Sequence, residues 1–325
     1  MERRPLGRSG LEVTRIVLGC GNFGGIGSAP ELFGHGESRD EAFALLDAAW
    51  ELGITTFDTA DAYGGGRSET YIGDWLRAKG PDVRQRIQLS TKVYNPMDAG
   101  EDRGLAPERI RRQLDGSLAR LGVERVDMYL AHEPDQDTPI ERSLEAFEEL
   151  VREGKVRAIG TSNVDGAGLA EALETSARRG FSRFEWVQNS YSLLERGAEA
   201  EVLPLCAEHG LGFTPFSPLA GGWLTGKYRE GESPPPGSRM TQRPEEYRHL
   251  ENPATYRGLE RLGEEARARG VDTATLALAW LLSNPLVSAV VVGPRRPEHL
   301  EPARRALDLH LSEREREELA GLFDP

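Results

Sequence analysis

Four side chains able to titrate or to donate a proton recur at comparable places along this 325-residue chain. Asp58 closes the run TTFD, Lys92 closes IQLSTK, and His132 closes VDMYLAH, while Tyr63 follows Asp58 by five positions in DTADAYGGGRSE. Their chemistry is complementary. A tyrosine hydroxyl can protonate a developing alkoxide, but its ordinary pKa of about 10 makes it a poor acid near neutrality unless a cation lies beside it. Lys92 supplies that cation, a carboxylate such as Asp58 keeps an ammonium charged in a dry site, and His132 can donate to the same oxygen. Together they polarise a carbonyl and protonate its oxygen as hydride reaches the carbon. No side chain here carries a hydride, which implies a nicotinamide cofactor. Each residue also has a plainer reading: Asp58 as a loop cap, Tyr63 as a surface aromatic, Lys92 as a solvated cation, His132 as a satisfied core histidine. For one residue alone the plainer reading wins, whereas three successive strands ending this way favour the chemistry.

Such groups meet only if the strands bearing them end together. Eight apolar runs, at residues 15–19, 55–58, 87–92, 126–132, 156–160, 184–189, 211–216 and 288–293, alternate with helical periodicity and read as parallel strands buried on both faces. That order predicts an α/β fold, a (β/α)8 TIM barrel in one domain over 1–325, with its reactive groups at the C-terminal strand ends. Ser38 and Glu41 have capping-box spacing before Phe43, Leu46 and Trp50, with Gly53 as the stop. Pro107 and Pro139 suit first turns, with Gly122 and Gly154 as the matching ends. RRPLGRSGLEV predicts an N-terminal β-hairpin turning at Ser9-Gly10, a plug for the barrel floor, and LSEREREELAGLF predicts an additional C-terminal helix. The glycine- and proline-rich stretch from Ser217 to about Tyr256 reads as a long covering loop.

The charge balance narrows the partners. Lysine and arginine total 40 against 53 acids, a formal charge of −13, which disfavours nucleic acid and anionic membrane surfaces. No apolar run approaches the roughly 18 residues of a membrane span and MERRPLGRSG lacks the apolar stretch of a signal, so a cytoplasmic location is expected. Cys20 and Cys206 read as buried free thiols, and six histidines with no close pair give no metal-ligand spacing.

Nearly end to end, the chain resembles the aldo-keto reductase family, in its bacterial and channel-beta-subunit-like branch. LGRSGLEVTRIVLGCGNFGG is similar to the family's hairpin and first strand, FDTADAYGGGRSETYIGDWL to the segment with its aspartate and tyrosine, STK to its lysine, and YLAHEPDQDTPIERSLEAFEELVREGKVRAIGTSN to the histidine segment. The resemblance implies that Asp58, Tyr63, Lys92 and His132 take the four catalytic places. It implies that Ser162, Asn163 and Gln188 hold the nicotinamide carboxamide and that Phe216 lies on the ring face. Ser217, Leu219, Gly222 and Lys227 fall on the loop covering the pyrophosphate, with Arg239 at a second anion position. GPRRPEHLEPARRA resembles the adenosine-phosphate segment, where Gly293 permits close approach and Arg295 or Arg296 contacts a 2′-phosphate, with His299 as a further candidate. Adjacent arginines in an acidic chain favour NADP over NAD. The family's glutamine, glutamate and asparagine are replaced here by His299, Pro302 and Ala303. Asn22 falls with both the cofactor set and the substrate-facing set, and Phe23, Tyr94, Tyr191 and Trp223 complete the latter, as apolar walls for aldehydes, ketones or quinone-like carbonyls or simply as loop packing. The implied partner is a small-molecule carbonyl.

Other readings compete. GCGNFG matches G-x-G-x-x-G, but a Rossmann fingerprint runs straight into its helix with the acid about 20 positions on. Here GIGSAPELFGHGES intervenes and Asp58 lies 39 residues past Gly19. No tyrosine stands four residues before a lysine, as a short-chain reductase requires, and too few histidines reach the strand ends for a metal hydrolase. The main rival is a nucleotide-binding regulatory or redox-sensing barrel with little turnover.

Overall fold

Each of the eight apolar runs forms a strand in the computed structural model, which describes residues 1–100 and 103–324. A short antiparallel pair, β1 (Arg3–Pro5) and β2 (Glu12–Thr14), comes first. The parallel strands are β3 (Ile16–Gly19), β4 (Thr56–Asp58), β5 (Gln88–Val93), β6 (Val126–Ala131), β7 (Val156–Ser162), β8 (Phe184–Gln188), β9 (Gly212–Phe213) and β10 (Val290–Val292). They pair in chain order from β3 to β9, with β10 beside β3. Ser288 N donates to Phe213 O at 2.8 Å and Val291 N to Pro215 O at 3.0 Å, so the two ends of the sheet are joined and the curled sheet closes on itself. Arg15, 2% exposed, ties the same seam by donating to the carbonyls of Leu282, Val287 and Ser288.

The covering helices are α1 (Arg39–Glu51), α2 (Arg67–Lys79), α3 (Pro81–Arg84), α4 (Pro107–Leu121), α5 (Ile140–Arg152), α6 (Gly166–Arg179), α7 (Val202–His209), α8 (Arg239–Gln242), α9 (Pro244–Tyr247), α10 (Pro253–Ala268), α11 (Thr273–Leu282), α12 (Glu301–Ala306) and α13 (Glu313–Ala320). The capping box at the start of α1 forms, Ser38 N donating to Glu41 Oε2 at 2.8 Å while Ser38 Oγ accepts from Glu41 N. Pro107 opens α4, whereas Pro139 stands one position earlier, as the cap of α5. α13 is the additional C-terminal helix, held to α11 by Trp280 Nε1 donating to Arg316 O at 2.9 Å.

The hairpin floors the barrel. Leu6, Leu11 and Val13 are buried in one apolar cluster with the strand residues Val17, Met128, Leu130, Ala158, Trp186 and Val291. Residues 217–256 depart from the expected continuous loop. They fold into a 3-10 turn at Ala220–Thr225, then α8, α9 and a second turn at Arg248–Leu250, and α10 already begins at Pro253. Pro244 and Pro253 open helices, where their missing N–H costs nothing, while the run PPPG at 234–237 stays irregular. Asn252 caps α10 by accepting from Thr255 N at 3.0 Å. Among the described residues, no helix is long and apolar enough to cross a membrane.

Candidate active site

Two backbone bonds build the site. Thr59 N donates to Ser90 O at 2.9 Å and Asp61 N to Lys92 O at 3.1 Å, extending the β4–β5 pairing past Asp58 and folding the next loop back across the end of β5. Gly64 follows at φ 59°, and a Cβ there would lie 2.6 Å from Phe23 O, so glycine is what lets this loop press against the β3 loop. Tyr63 is thereby returned to Lys92.

Lys92 Nζ donates to Asp58 Oδ2 at 2.6 Å and Thr59 O at 2.9 Å, and it lies 3.3 Å from Tyr63 OH. Asp58 Oδ1 accepts from Ser90 Oγ at 2.8 Å and Gln188 Nε2 at 3.1 Å. Tyr63 OH is 3.5 Å from His132 Nε2, and the two rings meet edge to face. Asp58, Lys92 and His132 are buried, while Tyr63 keeps part of its surface. Burial alone would drive the proton off the Lys92 ammonium, but Asp58 and Tyr63 outweigh it and hold its pKa above the ordinary value. Burial likewise raises the Tyr63 phenol, with Lys92 pulling it back and Asp58 pushing it further up. His132 is held well below its usual range, by burial first and by Lys92 second, and is neutral.

A second cluster lies over the 217–256 stretch and the loop after β10. Lys227, Arg239 and Arg295 gather there, and the Lys227 pKa is lowered by burial and then by those two guanidiniums. The Lys227 ammonium packs onto Gly222, where a Cβ would come within 2.4 Å of Nζ. Arg239 NH2 donates to Asn22 Oδ1 at 2.5 Å, and Arg295 donates to Gly237 O at 2.7 Å and to Glu37 Oε1 at 3.1 Å. Ser217 and Ala220 adopt φ of 51° and 45°, backbone that non-glycine residues rarely take and that clusters at ligand sites.

A family model for the aldo/keto reductase family matches residues 15–323. The chain belongs to this family. It is 39% identical over 324 residues to "Uncharacterized oxidoreductase YrpG" of Bacillus subtilis, covering 96% of this chain and 92% of that protein. It is 35% identical to "Probable voltage-gated potassium channel subunit beta" of Oryza sativa, covering 95% and 92%. With "L-glyceraldehyde 3-phosphate reductase" of Escherichia coli it shares 33% identity, covering 95% and 88%. The family match and the oxidoreductases among its relatives support carbonyl reduction in general terms.

Of the other residues singled out in the sequence, Ser162 and Gln188 are register partners ending β7 and β8, and Ser162 Oγ donates to Gln188 O at 2.6 Å. Asn163, at φ 55°, donates to His132 O at 2.9 Å and Glu133 Oε1 at 3.2 Å. Phe216 packs on the inner apolar cluster, at the rim of the barrel. Leu219 is half-buried, and Gly293 is exposed, where a Cβ would meet nothing nearer than Gly19 O at 3.7 Å. Arg296 and His299 are exposed, with Arg296 NH2 3.4 Å from His299 Nε2. Pro302 and Ala303 lie within α12, Ala303 buried.

Of the two readings open for the candidate substrate-facing aromatics, burial favours loop packing for three. Phe23 and Tyr191 are 0% exposed and Trp223 1%, so none of the three offers surface to the mouth. Tyr191 donates to Glu199 Oε1 at 2.6 Å and packs against Phe213 and Trp280, behind the barrel wall. Trp223 packs between Tyr228 and Tyr256. Large aromatic loop residues gain more by burying area than by waiting at an opening. Tyr94 alone of the four keeps partial exposure.

Several polar residues at the site escaped the sequence reading. Ser90 was within reach, since it stands two positions before Lys92 and shares its face of β5. Asn95 Nδ2 lies 3.3 Å from His132 Nδ1, and its own carbonyl accepts from buried Arg109 at 2.8 Å. Glu133 is pushed up to about 7 by burial and by Glu246. Glu37 is buried, one oxygen on Arg295 and the other without a partner. No periodicity marks a loop asparagine or glutamate. Among the described residues, no group of histidine, cysteine and carboxylates is placed to hold a metal.

Proposed function

We propose that this protein reduces an aldehyde or ketone to an alcohol with NADPH, as one unit over 1–325 whose residues 217–256 cover the cofactor. The observation that carries the reading is the continuous contact from Asp58 through Lys92 and Tyr63 to His132 at the ends of neighbouring strands. The cluster of Lys227, Arg239 and Arg295 fits a polyphosphate cofactor, because their mutual repulsion is what an anion between them relieves. Arg295, Arg296 and His299 would take the 2′-phosphate, Ser217, Leu219, Gly222 and Lys227 the pyrophosphate, and Asn22 would stay with Arg239 at its edge. Asn163 Oδ1 and Gln188 Oε1, whose amide nitrogens are already committed, would accept from the carboxamide, with Ser162 beside them and Phe216 on the ring.

When bound, the nicotinamide supplies hydride to the carbonyl carbon. The substrate oxygen is received between Tyr63 OH and His132 Nε2. Tyr63 gives its proton to that oxygen, and Lys92, kept charged by Asp58, stabilises the phenolate left behind. Neutral His132 contributes a hydrogen bond from Nε2 when Asn95 donates to Nδ1. The test is titration with NADPH and NADH followed by intrinsic fluorescence, then NADPH consumption with aromatic aldehydes, dicarbonyls and quinones. Tyr63→Phe lowers kcat by about 10²- to 10⁴-fold and leaves NADPH affinity nearly intact, since only the proton donor is lost. Near wild-type turnover in that variant removes Tyr63 from the acid role. The second reading, a nucleotide-binding regulatory barrel, draws on the potassium-channel-beta relative. It predicts tight NADPH binding without turnover on any carbonyl of the panel, and failure to bind either nucleotide sinks both readings.

A further inference from the structure

At the end of the barrel opposite Asp58 and Lys92, the starts of β5, β6 and β7 and the loops leading into them enclose a cleft of about 780 Å³. Five arginines line it, Arg3, Arg84, Arg86, Arg125 and Arg157, against two acids, Glu124 and Asp127. The local balance is positive in a chain whose formal charge is −13.

Three of the five are fixed in place. Arg3 donates to Thr55 Oγ1 at 2.6 Å and Glu12 O at 3.2 Å. Arg86 lies over the Trp50 ring at 4.6 Å from its centroid. Arg157 pairs with Asp127 Oδ1 at 2.9 Å, and the other Asp127 oxygen accepts from Leu89 N at 3.0 Å, anchoring the pair to β5. Arg84 and Arg125 have no side-chain hydrogen bond or ion pair among the described residues. Two uncommitted guanidiniums line a concave site whose other cations are held around them, leaving an excess of positive charge that an anion would neutralise.

The planar fork of a guanidinium matches phosphate oxygens pairwise. One carboxylate or sulfate would engage one or two arginines, whereas this number around one cleft calls for several negative charges close together. Nucleic acid is disfavoured by the charge of the whole chain. We propose that the cleft binds a compact oligophosphate, either inorganic or the phosphate tail of a nucleotide, at a site separate from the mouth. Its occupancy joins the starts of three neighbouring strands and stabilises the fold by mass action.

The experiment is calorimetric titration of tripolyphosphate at about 0.15 M salt, where exposed charges are screened beyond roughly 8 Å. Three proteins are compared: wild type, Arg84→Glu/Arg125→Glu, and Arg295→Ala/Arg296→Ala. The expected result is saturable binding in the wild type that persists in Arg295→Ala/Arg296→Ala and is weakened at least about tenfold in Arg84→Glu/Arg125→Glu, whose melting temperature without ligand matches wild type. ATP binding as tightly as tripolyphosphate assigns the site to phosphate tails in general; ATP binding more tightly assigns it to nucleotides, and ATP failing to bind assigns it to inorganic oligophosphate. The proposal is overturned by no saturable binding in the wild type, by unchanged binding in Arg84→Glu/Arg125→Glu, or by sulfate competing equally at matched ionic strength. It is also overturned if binding vanishes in Arg295→Ala/Arg296→Ala, which would place the phosphate at the mouth. None of these outcomes depends on carbonyl reduction.

Discussion

Replacing Lys92 by methionine keeps an unbranched side chain but removes the ammonium that Asp58 meets at 2.6 Å. Ser90 and Gln188 still serve Asp58 Oδ1, while Oδ2 is left in a site where Lys92 is 0% and Asp58 3% exposed. Removing one partner of a buried ion pair costs about 3–5 kcal/mol, because it strands a charge. That is a large part of the roughly 5–15 kcal/mol that stabilises a typical fold. In Asp58→Asn/Lys92→Met no charge is stranded, and the residual loss is that of a shape-conserving exchange, about 1–2 kcal/mol. The double variant is therefore more stable than Lys92→Met by about 1–4 kcal/mol, although it carries one more substitution. Urea unfolding followed by tryptophan fluorescence measures all four corners of the cycle, with equal slopes required for the comparison. A Lys92→Met loss under about 1 kcal/mol, or a double variant less stable than Lys92→Met, would refute the argument that these two charges hold each other in place.

Three further outcomes follow from the geometry. Asn95→Leu leaves His132 Nδ1 without its partner, so kcat falls about tenfold and the imidazole 15N shifts move away from the Nε2–H form; unchanged shifts remove Asn95 from this role. Arg295→Ala/Arg296→Ala weakens NADPH at least about tenfold more than NADH in fluorescence titrations, and equal losses for both would dismiss the 2′-phosphate assignment. Glu133, raised to about 7 by burial and by Glu246, keeps a proton in the folded state that the unfolded chain has already released above about 4.3. Its contribution is thus present at low pH and lost as pH rises toward 7 and beyond. Glu133→Gln should melt higher than wild type at pH 8 and level with it at pH 4.5, and a difference at neither pH would show that Glu133 is well solvated.

What the sequence disclosed depended on whether a residue's role followed from spacing. Asp58, Lys92 and His132 were legible because a strand in a parallel sheet is apolar throughout, so a polar residue at its end stands out. Tyr63 was legible through the segment it shares with the aldo/keto reductase family. Asn95 and Glu133 stand in irregular loops, and only the folded chain brings Asn95 to His132 Nδ1 and Glu133 to Asn163. Tyr191 and Trp223 left two readings open, because aromatic loop residues carry no mark that separates a pocket wall from a packed interior, and here both are buried. Within the 217–256 stretch the run PPPG stays irregular while Pro244 and Pro253 open helices, because a proline carries the same sequence signal at a helix start as in a loop.

The seam at Arg15 bears on how the chain is made. β3 emerges from the ribosome near the beginning, but its neighbour β10 and the carbonyls that hold the Arg15 guanidinium belong to residues 282–292. At about 5–20 residues per second, β3 waits on the order of 15 to 55 s with one hydrogen-bonding edge bare. Its residues Ile16, Val17 and Leu18 are apolar, the composition that recruits other strands to an open edge. Throughout that interval the nascent protein is an unfinished sheet that only its own last strand can close. Burial has drawn the pKa of Arg15 down to about 10, yet it stays charged at neutral pH, so the seam locks only when its carbonyl partners arrive. A chain stopped short of Val290 would keep Asp58, Tyr63, Lys92 and His132 and still lack the strand that makes it a barrel.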